Sequence, residues 1–271
     1  MTKQVLMCHC KSEHLSEHTQ SEISNILADT QLSLVNIHDF CGVCADKKEA
    51  VKDLFSEDKN SLIIACHSRT VNSLLKFAGL NSEKVKVETL NARELSIDEI
   101  ENRIADFSKN ENSSQNIIEL NNNSDWPSWF PILDYERCVG CGQCADFCLF
   151  GTYSKTDDKV WVENPHACKN NCPACARICP HTAIIFPKYK EGGAIAGSAS
   201  IDEKLEQERR QSDMNEILGS DIYKTLAQRK VKRQRIIQNE ARDKAMKERE
   251  DALKEIKNGK GNNPFGNIKL A

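Results

Sequence analysis

The feature that most constrains this chain is a duplicated run of cysteines between residues 138 and 179. The last three cysteines of each run repeat at one offset, 141 to 172, 144 to 175 and 148 to 179, which is 31 residues each time. Short apolar segments precede and follow both runs. The pattern therefore predicts a duplicated unit of strand, cysteine loop, short helix and strand.

Eight cysteines at these spacings are typical of a chain that ligates two 4Fe–4S clusters. A cube of iron and sulfide needs four soft ligands that approach from different directions. Three closely spaced cysteines on a loop reach three corners of one cube, and the fourth, on the short helix, points to the other cube. We therefore assign one cluster to Cys138, Cys141, Cys144 and Cys179. We assign the second cluster to Cys168, Cys172, Cys175 and Cys148.

About 60 residues, from Trp129 to Lys188, resemble the bacterial two-cluster ferredoxins. Two departures affect the expected site. Three residues separate Cys168 from Cys172, where that family has two, and Leu149 stands where a proline often follows the first run. The longer gap is expected to change the loop and the reduction potential, or to make one iron more labile. Zinc and disulfides are the alternatives, but zinc sites favour paired Cys-x-x-Cys spacings, which these runs fit poorly.

The cysteine count also bears on the redox compartment, because the chain of 271 residues contains thirteen cysteines. The first residues lack the apolar segment of a signal peptide, and no run of about 18 apolar residues is present to span a membrane. We therefore expect a cytoplasmic protein in which reducing conditions keep the cysteines available as ligands. The net charge of −3 gives no general attraction to nucleic acid.

Residues 1–107 alternate between apolar strands and amphipathic helices. Strands are expected at 4–7, 33–37, 61–65 and 85–88, and a capping box at Ser96 and Glu99 opens the last helix. This alternation predicts an α/β domain of four βα units with a small parallel sheet. In such sheets ligands bind beyond the carboxyl ends of the strands. The five remaining cysteines follow three successive strands and should meet at that edge: Cys8, Cys10, Cys41, Cys44 and Cys66.

Five short segments in this domain form an ordered pattern, at 5–10, at Cys44 with the helix after it, and at 62–70, 78–81 and 91–94. Over about 100 residues this pattern resembles the N-terminal domain of the A subunit of heterodisulfide reductase (HdrA) and its relatives. In that family this domain carries one 4Fe–4S cluster and lies next to a flavin domain. The resemblance implies a third cluster, with the ligands Cys8, Cys10, Cys44 and Cys66, and Cys41 as the alternate. The flavin domain of that family is not recognisable here, because no Gly-x-Gly-x-x-Gly follows a strand. We therefore expect no flavin.

Three alternatives to a third cluster stay open for these five cysteines. Cys41 and Cys44 are spaced as a redox dithiol of the Cys-x-x-Cys type. The same residues are also compatible with zinc, and a buried cysteine often serves only as a small apolar side chain. His9 and His67 are expected to lie beside the site rather than in it.

The segments outside the two domains are mainly polar. We expect an Asn-rich linker at 108–125, a ferredoxin domain at 126–190, a Gly/Ala/Ser joint at 191–200, a long charged helical arm at 201–258 and a tail at 259–271. The aromatic residues Trp126 and Trp129 are expected to pack in the ferredoxin core, with docking on the first domain as the alternative. The arm lacks sustained a/d heptads, so it is expected to wrap a partner protein or to stay mobile. Charges of both signs surround the basic run at 229–235, which favours a solvated face over RNA contact.

These features predict an α/β domain followed by an α+β two-cluster ferredoxin domain in a non-catalytic electron-transfer subunit. The expected partners are protein subunits of an oxidoreductase complex of the heterodisulfide reductase type, bound through the helical arm. Two alternatives are a dithiol or disulfide reductase that uses the N-terminal cysteines, and a redox-sensing regulatory protein whose basic helix binds nucleic acid.

Overall fold

The computed structural model describes residues 2–12, 14–80, 84–109, 116–122, 124–204 and 239–257, and the chain forms two units. The first unit extends to Ser128 and also includes Pro187–Gly192 and Ala196–Ala199. The second unit contains Trp129–Phe186, Gly193–Ile195 and the described residues after 199. No helix in the described ranges is both long and apolar enough to cross a membrane.

The first unit alternates strands and helices. Its elements in chain order are β1 (Thr2–His9), α1 (Glu17–Ala28), β2 (Ser33–His38), α2 (Phe40–Asp46), α3 (Lys48–Leu54), β3 (Lys59–Ala65), α4 (Ser68–Phe77), β4 (Lys86–Asn91), α5 (Ile97–Ser108) and β5 (Ile117–Asn121). The expected capping box at the start of α5 is present, with Ser96 and Glu99 exchanging hydrogen bonds. The sequence therefore predicts most of these elements, with small shifts at their ends.

The five strands form one parallel sheet in the order β4-β3-β1-β2-β5. Successive side chains of a strand point to opposite faces. Val5 and Met7 of β1 belong to a core that includes buried residues of α1 and α5. On the opposite face, Gln4 donates a hydrogen bond to the carbonyl oxygen of Leu54 in α3. Cys8 shares the face of Gln4 by alternation, so β1 directs it away from the core under α1 and α5.

Two segments expected to be a linker and a joint are partly built into this unit. The segment expected as a linker contains β5, which pairs with β2. Cys41 and Cys44 follow β2, as expected, and lie on the short helix α2. The expected joint at 191–200 includes Ala196, which is fully buried and whose carbonyl oxygen accepts a hydrogen bond from Thr70. Backbone hydrogen bonding, which polar composition does not reveal, explains the difference at β5 and at Ala196.

The second unit has the duplicated form that the sequence predicts. Its elements are β6 (Ile132–Leu133), α6 (Gln143–Phe147), β7 (Tyr153–Lys155), β8 (Val160–Val162), a 3₁₀ turn (Pro165–Ala167), α7 (Ala174–Arg177), β9 (Ile184–Ile185) and α8 (Asn239–Lys257). The antiparallel pairs β6–β9 and β7–β8 each join one half of the duplication to the other. Trp129 is buried and stacks on Phe186, with ring centroids 5.1 Å apart, which places it in the core as expected.

The longest described part of the charged arm is α8, and it packs on its own unit. Ala245 and Ala252 are buried in a cluster with Phe150, Cys172 and Ile178. The sequence did not indicate this packing, and a role of the arm in binding a partner stays a prediction. Residues 205–238, which include the basic run at 229–235, and the expected tail lie outside the described residues.

Two ion pairs fix α8 against the rest of the unit. Arg177 Nε lies 3.1 Å from Glu248 Oε1, and Lys169 Nζ lies 2.8 Å from Glu255 Oε2. Arg177 and Lys169 are both only 5% exposed, so these cations depend on acceptors within the protein.

Candidate iron–sulfur centres

The first cysteine loop depends on two glycines with left-handed backbone. Gly140 has a φ of +69° and Gly142 a φ of +75°, conformations that glycine adopts without steric strain. A Cβ atom on Gly140 would lie 2.3 Å from the carbonyl oxygen of Asp158, so a larger residue does not fit. The loop can therefore turn tightly between Cys138 and Cys144, as the convergence of three ligands requires.

The structure brings Cys144 together with Cys138, Cys141 and Cys179, which we call the first cysteine group. Burial raises the pKa of the Cys144 thiol to about 12, and the charges of Cys179, Cys138 and Cys141 act in the same direction. Cys141 is exposed. The Ala183 backbone N–H donates to Cys179 Sγ at 3.4 Å. These four residues are the ones that the spacing assigns to one cluster; ligation itself stays a prediction.

The remaining cysteines of the two runs line a cavity of about 350 Å³. We call them the second cysteine group: Cys148, Cys168, Cys172 and Cys175. Burial raises the pKa of Cys172 to about 11 and raises those of Cys168 and Cys175 well above the usual value, and other thiolates of the group, including Cys148, add to each effect. Four thiolates that repel one another, three of them buried, need a cation to hold them ionised, and iron in a cluster supplies that charge.

Tyr153 lies beside both groups. Its hydroxyl donates a hydrogen bond to Cys175 Sγ at 3.0 Å. Burial raises the pKa of the Tyr153 phenol, and the charges of Cys175 and Cys144, one from each group, raise it further. The two groups are therefore close enough to act on one side chain.

The geometry bears on the alternatives of zinc and disulfides. In the described ranges, no three His, Cys, Asp or Glu side chains are arranged to hold a single metal ion. A zinc site needs four ligands about 2.0–2.3 Å from one ion. No disulfide joins any of the thirteen cysteines. Two groups of four thiols, one of them around a cavity, fit the donor set of a 4Fe–4S cluster.

The first unit contains a second cavity, of about 380 Å³, which we call the N-terminal cavity. Four of the five cysteines of the first unit line this cavity: Cys8, Cys10, Cys41 and Cys66. Cys8 and Cys10 come from the end of β1, Cys41 from the first turn of α2, and Cys66 from the residue after β3. The cysteines thus meet at the carboxyl edge of the sheet, where the alternation of strands and helices places a site.

Cys44 does not line the N-terminal cavity and is completely buried. It lies three residues beyond Cys41 on α2, which is a rise of about 4.5 Å along the helix axis. Its pKa is raised by burial and by Asp39, and no other cysteine contributes. The lining of the cavity therefore favours the alternate, Cys41, over Cys44 as a ligand, and the ligand set stays a prediction.

Hydrogen bonds and charge distinguish the four thiols of the N-terminal cavity. A hydrogen bond from the Cys8 thiol lowers the pKa of Cys10 to about 5, against the effect of burial and with help from the Ser12 hydroxyl and Arg93. The same hydrogen bond, together with burial, raises the pKa of Cys8. Burial raises the pKa of Cys66 to about 11. Of the four thiols that line the N-terminal cavity, Cys10 is therefore the one that is ionised at neutral pH.

A short segment, 187–188, lies beside the N-terminal cavity. Pro187 lines it, and the Pro187 carbonyl oxygen accepts a hydrogen bond from Arg93 at 2.8 Å. Lys188 Nζ lies 2.6 Å from Asp39 Oδ2, and both side chains are buried. The sequence indicated neither Arg93 nor Lys188 as part of a site, because single basic residues carry no spacing signal. His9 and His67 do not line the cavity.

Comparisons with known proteins agree with the geometry of the second unit. The family model of the 4Fe–4S binding domain matches residues 131–148. Two proteins named uncharacterized ferredoxin from Methanocaldococcus jannaschii are 45% identical over 64 residues and 39% identical over 67 residues. A pyruvate synthase subunit PorD from the same organism is 34% identical over 64 residues. No solved structure matches this chain.

The extent of these matches decides what they imply. They cover 22–24% of this chain, and they span 44%, 86% and 73% of the three relatives. The chain thus spans less than half the length of the first ferredoxin but most of the second. Because the second relative is matched over most of its length at 39% identity, this chain belongs to the family of 4Fe–4S ferredoxins.

Proposed function

We propose that this protein is an electron-transfer subunit that passes single electrons between redox partners in a larger oxidoreductase complex. The observation that carries the proposal is the exchange of the fourth cysteine between the two runs. Cys148 lies with the second group and Cys179 with the first. Two 4Fe–4S clusters bound in this way are neighbours, as single-electron transfer between them needs.

Relatives support a role within a multi-chain enzyme. PorD is, by its name, a subunit of pyruvate synthase, and its similarity to this chain favours a component that supplies or collects electrons for a separate catalytic chain. The first unit resembles the N-terminal domain of the HdrA family in sequence, and on that basis we propose a complex of the heterodisulfide reductase type. No side chain is assigned as a general acid, general base or nucleophile in this function.

We further propose that the N-terminal cavity holds a third 4Fe–4S cluster, ligated by Cys8, Cys10, Cys41 and Cys66. Four thiols from three elements surround one cavity, which suits four-point ligation. Arg93 lines the same cavity, and a cation beside a cluster with four thiolates offsets its negative charge.

The experiment is an iron and sulfide count on chain purified without oxygen, with two matched variants. The wild-type chain should hold about twelve iron atoms, four for each cluster. Cys41→Ser should hold about eight, because the third cluster loses a ligand. Cys44→Ser, three residues away on the same helix, should keep about twelve. Eight irons in the wild type would contradict the third cluster, and loss of iron in Cys44→Ser with none in Cys41→Ser would reverse the ligand assignment.

One observation favours a second candidate for the N-terminal cavity. The hydrogen-bonded pair Cys8–Cys10 has one thiol with a pKa of about 5, as in the nucleophilic cysteine of a dithiol reductase. In that case the two clusters of the second unit would supply the electrons. About eight irons per chain, together with Cys8 and Cys10 that alkylate in the iron-loaded protein, would support this function over the third cluster.

A further inference from the structure

The two halves of the duplication differ at one position beside the clusters. The offset of 31 residues that relates the cysteine runs also relates Tyr153 to Ile184. Tyr153 opens β7 and Ile184 opens β9, so both occupy the strand that leaves a cysteine run. A tyrosine can donate a hydrogen bond and an isoleucine cannot. The position therefore offers a donor in only one half of the duplication.

The Tyr153 hydroxyl uses this capacity on a cysteine sulfur. Its Oη lies 3.0 Å from Cys175 Sγ, within the distance of a hydrogen bond to sulfur. Cys175 is a member of the second cysteine group, and Tyr153 lines the cavity of that group. The contact joins a neutral donor to an atom that carries negative charge when it binds iron.

The surroundings of the two groups differ as well. Cys168, Cys172 and Cys175 are all buried, and Arg249 of α8 lines their cavity. Cys141 of the first group is exposed. Burial disfavours the more highly charged form of a site, so on burial alone the second cluster would be the harder one to reduce. A hydrogen bond to a cluster sulfur opposes this effect, since it stabilises the added negative charge.

We infer that Tyr153 tunes the reduction potential of the second cluster, through the hydrogen bond from its hydroxyl to Cys175, and so offsets the effect of burial on that cluster. Tyr153 acts as a positioning residue, because it contacts a ligand and not the iron. The electron comes from the redox partner, and no bond to Tyr153 forms or breaks. This inference rests on the proposed function, in which Cys175 is a ligand of the second cluster.

The test is Tyr153→Phe in the full iron-loaded chain, since phenylalanine keeps the ring and removes only the hydroxyl. The fraction of each cluster reduced at a set potential is followed by the hyperfine-shifted NMR signals of its cysteine protons. We expect the ratio of reduced to oxidised second cluster to fall about fivefold, which is about 40 mV at 59 mV per factor of ten. The first cluster should not shift.

Tyr135→Phe is the matched control. Tyr135 lies near Cys138 of the first group. Burial raises the pKa of the Tyr135 phenol, and the charge of Cys138 raises it further. In the described part of the chain, the Tyr135 hydroxyl has no hydrogen bond to a cysteine sulfur. Removal of this hydroxyl should leave both potentials unchanged. Equal shifts of both clusters in Tyr153→Phe, or no shift, would overturn the inference.

Two further results keep this test separate from the proposed function. A wild-type chain without iron would refute the proposed function, whereas a loaded Tyr153→Phe chain with unchanged potentials would refute only the role of Tyr153. If Tyr153→Phe fails to load iron, a measurement on the wild-type protein still tests the inference. Its Tyr153 hydroxyl proton should give an exchangeable, hyperfine-shifted signal, and a hydroxyl proton without that shift would overturn the inference.

Discussion

The buried ion pair between Asp39 and Lys188 allows a quantitative test of the N-terminal site. Lys188 Nζ lies 2.6 Å from Asp39 Oδ2 and 2.6 Å from the Pro127 carbonyl oxygen, and the Lys188 and Asp39 side chains are 9% and 1% exposed. With an effective dielectric constant of about 20, charges at this distance attract by about 6 kcal/mol. The cost of removing both ions from water offsets most of that attraction. The pair therefore adds little net stability to the folded unit, but either ion without its partner destabilises it.

The perturbation is a double-mutant cycle of Asp39→Asn and Lys188→Met. Each single change should lower the free energy of unfolding of the first unit by about 3–5 kcal/mol, because it leaves one buried charge without a partner. The double variant should lose less than either single variant. Native-state hydrogen exchange of the β1 and β3 amides measures the opening free energy of this unit directly.

An exposed pair provides the control for the cycle. Lys52 and Glu49 lie 2.8 Å apart, with side chains 38% and 82% exposed, and Lys52→Met should cost less than about 1 kcal/mol. The reasoning would be refuted by single variants of the buried pair that also cost less than about 1 kcal/mol. A double variant that loses the sum of the two single effects would refute it equally.

The same pair should make stability depend on pH in alkaline solution. Burial acts to lower the pKa of Lys188, but Cys41 and Asp39 outweigh it and raise the pKa above the usual 10.5. A raised pKa means that the folded state holds the proton more tightly than the unfolded chain does. The stabilisation is therefore complete below pH 10.5 and is lost as the pH rises through the folded-state pKa. Lys188→Met should abolish this part of the pH dependence.

Three further predictions concern other parts of the chain. In iron-free protein, alkylation of Cys10 should reach half its maximal rate near pH 5 and that of Cys66 only near pH 11, as measured by mass spectrometry; a Cys10 midpoint near the ordinary thiol value would contradict the hydrogen bond from Cys8. Gly42→Ala should destabilise the first unit by about 1–3 kcal/mol in urea unfolding, because the new Cβ would lie 2.1 Å from Asn122 Nδ2, and a stabilised variant would rule out this close approach. Ala245→Glu, at a fully buried position of α8, should remove the hydrogen-exchange protection of that helix, and retained protection would show that α8 does not depend on this contact.

The sequence predicts the second unit well, because ligand spacing and the strand pattern constrain the same residues. The duplication makes β6 equivalent to β8 and β7 equivalent to β9, and each pair joins the strand before one cysteine run to the strand after the other. It also indicates which cysteines lie together. Four thiolates without a compensating cation repel one another. Eight cysteines in so short a segment therefore have few other stable arrangements.

The features that the sequence does not predict are the strand β5, whose burial is slight, and the packing of α8, which is carried by small side chains. The strand β5 lies at the edge of the sheet, and Ile117 is 55% exposed, so no alternation of apolar and polar residues marks it. The helix α8 buries Ala245 and Ala252, seven residues apart. Alanine at that spacing gives a weak apolar stripe, and the charged residues around it suggest a solvated helix.

The choice between Cys41 and Cys44 shows why spacing alone cannot assign the N-terminal site. A Cys-x-x-Cys sequence in a loop can present both sulfurs to one centre, whereas on a helix the second sulfur lies about 4.5 Å further along the axis. The helix begins at Phe40, directly after Asp39. Asp39 is in turn fixed by Lys188, from the segment that follows β9. The start of the helix that carries both cysteines is thus held by a contact between residues 149 positions apart in sequence, and local pattern cannot reveal such a contact.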